Sequence, residues 1–471
     1  MLFNSLSFVA FLGIVLLLYY LPLLKWNGKK AMLLIASYVF YGLWNPPLVL
    51  LLWISTAVDW SVGKRLVKSD NQKHRKRWLL LSVFVNLGFL AFFKYGGFLL
   101  ENFLQLTDLL GLNWQVASPD IILPMGISFY TFQTMSYSLD LYRKKTEPAK
   151  SFLDFALYVT FFPQLVAGPI VRSGTLLPQF YNKVKVKAEQ FYWGSFLLTL
   201  GLFQKVVLAD VLMADISDQV FGFVGALHGL DAWAGTLAFS GQIFFDFAGY
   251  STCAIGIALM LGFTLPDNFK YPYASVGFSD FWRRWHITLS TWLRDYLYIP
   301  LGGNQRGLTR TYINLMITML LGGLWHGASW TFVVWGGLHG LYLMTERFLR
   351  SKISIKATKF NQFSLALLTY FLVLITWVFF RSPTFTGAAG LLQSMFSFPA
   401  DGATILQELA LLQVAIVTVL LFACHWWMRN TSVREVAAKT PTWLFGLAWA
   451  IMLILIIVAQ GTGEQFIYFQ F

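Results

Sequence analysis

Charge is scarce in this chain. Of its 471 residues, 12% are Asp, Glu, Lys or Arg and 57% are hydrophobic. The charged share is roughly half that of a soluble domain, which excludes a water-facing surface over most of the molecule. Cysteine is nearly absent: Cys253 and Cys424 both sit in apolar runs. Their number and spacing exclude a disulfide framework and a zinc site, and Cys253 reads as a small buried residue rather than a thioester-forming one. The sequence has no G-x-S-x-G elbow, no P-loop and no H-E-x-x-H helix, so serine-hydrolase, nucleotide-hydrolase and zinc-protease chemistry lack their usual signatures. No period of 20–50 residues recurs, which excludes a repeat array and leaves no visible inverted repeat.

What is present is a series of apolar runs. Candidate membrane spans are 5–24, 31–45, 47–62, 78–99, 121–138, 191–213, 232–263, 311–328, 329–345, 363–380, 409–428 and 442–460. The first lacks the basic n-region and small-residue cleavage site of a signal peptide and is read as retained. The net charge of +13 suggests nucleic acid only until it is placed. The basic residues fall in short loops: Lys25 to Lys30, Lys64 to Arg77, Arg143 to Lys150, Lys183 to Lys187, Arg306 and Arg310, Arg347 to Lys359, and Arg429 to Lys439. That is the pattern of cytoplasmic loops under the positive-inside rule, so no nucleic-acid partner is expected.

All these loops share one side only if 152–171 does not cross. Pro163, Gly168 and Pro169 interrupt any helix there, and a broken or re-entrant element is tolerated where protein buries it. The expectation is an all-α polytopic membrane protein, one domain over 1–471, with twelve spans, both termini outside, and an outside linker at 381–406.

Segment 264–310 is too polar to face lipid. Within it Trp285, Leu289, Trp292 and Tyr296 recur at i, i+4, i+7 and i+11, which predicts one helix with an apolar stripe. Pro300 stops it, and Leu301 to Asn304 form a turn. Two readings stay open: an interfacial amphipathic helix, or a cytoplasm-facing helix lining a site. His286 with Asp280 and Asp295 favours the second.

Thr311 to Thr345 contains no charge and suffices for two crossings at roughly 17 residues each. His326, in Trp325-His326-Gly327, lies in this stretch. Counted from Arg310 at about 1.5 Å per residue, it is about 24 Å into a core about 30 Å thick. An ionisable side chain at that depth is costly and points to function. Histidine is the side chain that best moves protons near neutral pH. A deep histidine can deprotonate a hydroxyl that attacks an activated acyl carbonyl, while a second polar group holds the thioester or the oxyanion. On chemistry alone His339 rivals His326, and both can equally be packing histidines. His74, His228 and His425 read as interfacial or solvated. Lys205, Asp210 and Asp246 are intramembrane charges, read as structural pairs or as an ion path; Gly249 permits a kink or a close helix approach.

The run Asp280-Phe281-Trp282-Arg283-Arg284-Trp285-His286-Ile287-Thr288-Leu289-Ser290-Thr291-Trp292-Leu293-Arg294-Asp295-Tyr296-Leu297-Tyr298-Ile299-Pro300-Leu301-Gly302-Gly303-Asn304 resembles the core motif of the membrane-bound O-acyltransferases. It is most similar to the bacterial polysaccharide O-acetyltransferase branch typified by alginate acetylation. Gly322 to Trp330 resembles that family's catalytic-histidine motif. Pro124 to Gln133, Phe162 to Pro169 and Phe466 to Phe471 extend the likeness over most of the chain.

The resemblance implies a ring of membrane helices around a catalytic tunnel in an inner membrane. It implies His326 as catalytic histidine, with His286 as the second polar position, and it moves His339 to a structural or supporting role. Candidate substrate-binding residues are Arg283, Arg284, Trp285, Ser290, Trp292, Arg294, Asp295 and Asn304. The three arginines bind donor phosphates or form ion pairs with Asp280 and Asp295. No bound cofactor or metal is implied. The donor substrate is an acyl thioester, acetyl-CoA in that branch, and the acceptor an exported polysaccharide or an extracytoplasmic carrier protein. The contrasting reading is a transporter or flippase driven through the buried charges.

Overall fold

The computed structural model describes residues 1–471 except 113, 115, 118–120, 354, 355 and 460–471. The terminal motif Phe466 to Phe471 and the last position of the final expected span lie outside the described residues. Among those described there is no β-strand, and a lone backbone bridge pairs Leu227 with Ala403. The chain forms two compact units, Met1–Leu198 with Cys253–Pro266, and Thr199–Thr252 with Asp267–Phe471.

The first unit holds α1 (Leu6–Tyr20), α2 (Trp26–Gly42), α3 (Val49–Lys68), α4 (Gln72–Leu109), α5 (Ile127–Tyr142), α6 (Phe152–Thr160), α7 (Phe162–Leu165) and α8 (Ser173–Tyr181). The expected break in 152–171 is there. α6 ends before Phe161, α7 carries Pro163 in its first turn, and residues 154–171 are buried. Burial in protein is what makes irregular backbone acceptable in such a chain. Gly126 packs here: its φ is +71°, and a Cβ would lie 2.7 Å from the Leu165 carbonyl. Only glycine meets both demands at low cost.

The same unit contains a buried carboxylate that the sequence does not single out. Asp59 on α3 accepts hydrogen bonds from Ser138 Oγ on α5 (2.6 Å), from Asn86 Nδ2 on α4 (2.7 Å) and from the Ser82 hydroxyl. Three helices are thereby tied to one side chain.

In chain order there follow α9 (Ala188–Leu202), which runs into a π-helical stretch Phe203–Ala214, then α10 (Asp215–Gly222) and α11 (Gly229–Met260). The π bonding stacks residues five apart. That sets Asp210 beside Lys205, and Lys205 Nζ lies 2.8 Å from both Asp210 Oδ1 and Asp246 Oδ1. The intramembrane charges are therefore a buried triad, as the structural reading expects. α11 stays helical through Gly249, where a Cβ would meet the Gly201 carbonyl at 2.7 Å; of the two roles considered, close helix approach is the one this contact bears out.

The second unit continues with α12 (Phe278–Phe281), α13 (Ile287–Leu293), α14 (Gly307–His326), α15 (Trp330–Lys352), α16 (Lys359–Arg381), α17 (Phe385–Ser397), α18 (Glu408–Met428), α19 (Val433–Lys439) and α20 (Thr442–Val458). The expected single helix over Trp285 to Tyr296 is corrected: His286 has φ +42°, so α13 starts at Ile287 and turns π-helical from Arg294 to Tyr298. The four stripe residues are all buried nonetheless. The expected linker at 381–406 contains α17, and Asp231 Oδ2 at the start of α11 accepts from Ile405 N (2.6 Å) and Leu406 N (3.1 Å).

Among the described residues six helices are long and apolar enough to cross a membrane unaided: Pro46–Lys68, α4, Ala188–Gly222, α11, α16 and α18. α1 and α20 are apolar but shorter. The other expected spans coincide with helices that are shorter or more polar, so length and apolarity alone do not reach twelve. The molecule is an all-α polytopic membrane protein.

Candidate active site

α14 runs without a break from Gly307 to His326, so the rise of about 24 Å from Arg310 holds. His326 is its last helical residue, 2% exposed. The chain reverses over Gly327 to Ser329, and Ser329 caps α15 by accepting from Thr331 N at 3.2 Å. α15 then packs against α14 through glycine. A Cβ on Gly323 would lie 2.2 Å from the Phe332 carbonyl, and one on Gly336 would lie 2.2 Å from the Met319 carbonyl. At Gly327 a Cβ would enter the Phe332 ring at 2.1 Å. Glycines on both sides of the reversal therefore set where His326 sits.

The surroundings of His326 are aromatic. Its ring centroid lies 5.0 Å from Trp325, 4.9 Å from Trp335, 5.4 Å from Phe380 and 6.3 Å from His286. Trp335 stacks at 6.0 Å on Trp377, which touches Trp285 at 5.0 Å. Trp285, Trp335 and Trp377 are fully buried. In such a box a proton transfer is shielded from water and local electrostatic effects are strong.

His286 reaches the same place from the other direction. It is fully buried, with its ring against Phe247 (4.7 Å), Trp325 (5.9 Å) and Phe269 (6.4 Å). Its backbone sits in the left-handed region, uncommon for a non-glycine residue and a mark of functional sites. Asn268 holds this conformation. Its carbonyl accepts from Ile287 N (2.9 Å), and its Oδ1 accepts from Thr288 N (3.3 Å) and Thr288 Oγ1 (2.8 Å) and lies 3.1 Å from His286 Nδ1. Asn268 Nδ2 in turn donates to Ser251 Oγ at 3.1 Å.

The structure divides the other candidates. Trp285 joins the box, and Ser290 braces it by donating to the Trp285 carbonyl at 3.2 Å. Arg284 is engaged within the fold: Nε bonds Asp280 Oδ1 at 2.9 Å, and Nη1 donates to the carbonyls of Lys270 (3.2 Å) and Arg429 (2.9 Å). Arg294 pairs with its neighbour Asp295 at 2.7 Å, and this bond raises the guanidinium pKa above its ordinary value. Trp292 packs against Tyr296, their rings tilted with centroids 5.1 Å apart. Arg283 is exposed and donates to Ser279 Oγ at 3.0 Å, and Asn304 is exposed in the turn where Gly302 and Gly303 have positive φ.

His339 is fully buried beside Trp335 (4.7 Å), with Nε2 3.1 Å from Thr376 Oγ1. His425 is a correction. It is buried rather than solvated, its Nδ1 accepts from Tyr273 N at 3.2 Å, and Phe244 lies 4.6 Å from its ring. Cys253 is buried and Cys424 exposed, both unpaired by disulfide. Among the described residues no group of three His, Cys, Asp or Glu is placed to hold a metal. Asn268, Ser251, Trp335, Trp377 and Phe380 escape sequence reading. Asn268 is 18 residues from its histidine, and no periodicity links them.

The family model described as MBOAT, membrane-bound O-acyltransferase family, matches residues 127–385. A "Probable alginate O-acetylase" of Pseudomonas putida is 39% identical over the whole of both chains. A "Peptidoglycan O-acetyltransferase" of Helicobacter pylori is 37% identical over 84% of this chain and 80% of its own. A "Teichoic acid D-alanyltransferase" of Streptococcus thermophilus is 28% identical over 49% of this chain and 59% of its own.

Proposed function

Because this chain belongs to the membrane-bound O-acyltransferase family, and is thus a membrane-embedded acyltransferase, we propose that it O-acetylates an exported polysaccharide, with His326 as general base and residues 1–471 acting as one domain. The observation that carries the assignment is the pair of buried histidines, 6.3 Å apart, in a box of tryptophans at the end of α14. Two relatives are named for glycans, alginate and peptidoglycan.

In the proposed reaction a ring nitrogen of His326 takes the proton of an acceptor hydroxyl. The oxygen attacks the thioester carbonyl, the carbon–sulfur bond breaks, and the departing thiolate takes the proton back from the imidazolium. A positioned base contributes roughly 10²–10⁴-fold, and holding two substrates together contributes several kcal/mol more. His286 orients the donor or assists the oxyanion. The donor is an acyl thioester, acetyl-CoA, entering from the face of an inner membrane that carries the basic loops. The acceptor is the glycan or an extracytoplasmic carrier protein. Of Arg283, Arg284 and Arg294, the proposal assigns Arg283 to the donor phosphates; its support is that Arg284 and Arg294 are engaged with carboxylates.

The test uses purified protein and radiolabelled acetyl-CoA. Wild type is expected to hydrolyse or transfer the acetyl group, while His326→Ala folds and does neither. Equal turnover by both would remove His326 from the chemistry. A transporter driven through Lys205 finds no support in the geometry, since its ammonium is held by two carboxylates at 2.8 Å.

A further inference from the structure

The hydrogen bonds around Asn268 determine more than its position. Thr288 N is a main-chain N–H and can only donate. The Asn268 side-chain atom that accepts from it at 3.3 Å is therefore the oxygen, and the amide nitrogen is the atom that donates to Ser251 Oγ. A flipped amide would set two donors against each other. The oxygen so fixed is 3.1 Å from His286 Nδ1. An oxygen acceptor at that distance requires a proton on Nδ1.

We propose that Asn268 is a positioning residue that locks neutral His286 as the Nδ1–H tautomer, leaving Nε2 as its proton-accepting nitrogen. The division of labour between the two histidines follows. Neutral His286 has no N–H at Nε2 to offer an oxyanion, so it acts there as an acceptor, orienting an O–H or N–H of a substrate or taking a proton. It becomes an oxyanion donor only as the imidazolium. The lock has two further parts. The main-chain carbonyl of Asn268 holds Ile287 N, which fixes the left-handed turn at His286, and Ser251 on α11 holds the amide from behind. The rings against His286 are Phe247, Phe269, Trp325 and His326.

The kinetic consequence rests on the acyl-transfer reading, but the tautomer does not. The experiment therefore reads both. Nitrogen-15 spectra of histidine-labelled full-length protein in lipid, with His286→Gln identifying the His286 signals among six histidines, report which ring nitrogen carries the proton. Wild type is expected to show Nδ1–H at His286. Asn268→Leu, which keeps the branched shape and removes the acceptor, is expected to lose that signature and to lower kcat roughly 10²-fold with a smaller change in KM for acetyl-CoA. Asn268→Asp keeps an oxygen acceptor and is expected to keep the signature and rescue kcat.

An Nε2–H signal in wild type overturns the proposal. So does an Asn268→Leu protein with wild-type spectrum and turnover, because Asn268 would then be only a cap on α13. If Asn268→Leu does not fold, the wild-type and Asn268→Asp spectra decide. An Nδ1–H signature in a wild type that transfers no acyl group supports the lock and defeats the proposed function alone.

Discussion

At the scale of single residues, two adjacent arginines are expected to fail in different ways. Arg284 makes three bonds inside the fold, one of them to Asp280. Lysine cannot reproduce that fork, so Arg284→Lys should cost about 1.5–3 kcal/mol, read as a lower melting temperature with KM for acetyl-CoA unchanged. Arg283 is exposed, and its guanidinium donates to the Ser279 hydroxyl. If it meets the donor phosphates, Arg283→Ala raises KM by up to about fivefold, more at low salt, and leaves stability alone. The same contrast separates His339 from His326. Thr376 donates its own proton to the Val373 carbonyl at 2.7 Å and so receives one from His339 Nε2. Thr376→Val removes that acceptor and should cost about 1–3 kcal/mol while turnover per folded molecule stays near wild type. Nothing in residue type or depth distinguishes these two histidines. His326 stands out in the sequence through its motif, whereas the Thr376 bond that holds His339 depends on two helices meeting.

At the scale of elements, the α14–α15 reversal is built on backbone contact. Gly323 and Gly336 leave no room for a methyl group, because the atoms it would strike are main-chain carbonyls rather than flexible side chains. Gly323→Ala should therefore cost about 1–3 kcal/mol or more and move His326 out of its box, lowering melting temperature and turnover together. Gly446 in α20 has nothing within 4 Å of a Cβ. There alanine should stabilise by about 0.5–1 kcal/mol through the helix itself without touching activity. Wild-type stability in Gly323→Ala would refute the packing account. The uncharged run that forms α14 and α15 is readable in the sequence; the stripe from Trp285 to Tyr296 is readable but misleading. Its four residues do share burial, yet the helix carries only three of them, since Asn268 draws His286 into a left-handed turn from 18 positions away. The pairing of Lys205 with the buried carboxylates is one of the two readings the sequence offers; the π-helical spacing that brings Asp210 to it is not legible there, because α-helical spacing puts residues five apart on different faces.

For the whole molecule, the seven basic loops and the depth of His326 carry a directional claim that the transporter reading does not share. If the basic loops lie on the donor face, proteoliposomes given acetyl-CoA on that face alone should turn it over, and those given it on the opposite face alone should not. Orientation is checked by protease access to the Arg143 to Lys150 loop. Collapsing proton or sodium gradients should leave the rate unchanged. The Lys205 triad has its ammonium bonded to two carboxylates, and removing the lysine would strand both charges at about 3–5 kcal/mol. Lys205→Met is therefore expected to reduce the yield of folded protein rather than the gradient dependence of a folded one. A rate that follows the gradient, or a folded Lys205→Met protein that has lost such dependence, would return function to the buried charges. A gradient-independent rate confined to one face would leave the histidine pair as the site through which the acyl group must pass, since His326 stands about 24 Å along α14 from the nearest basic residue on that side.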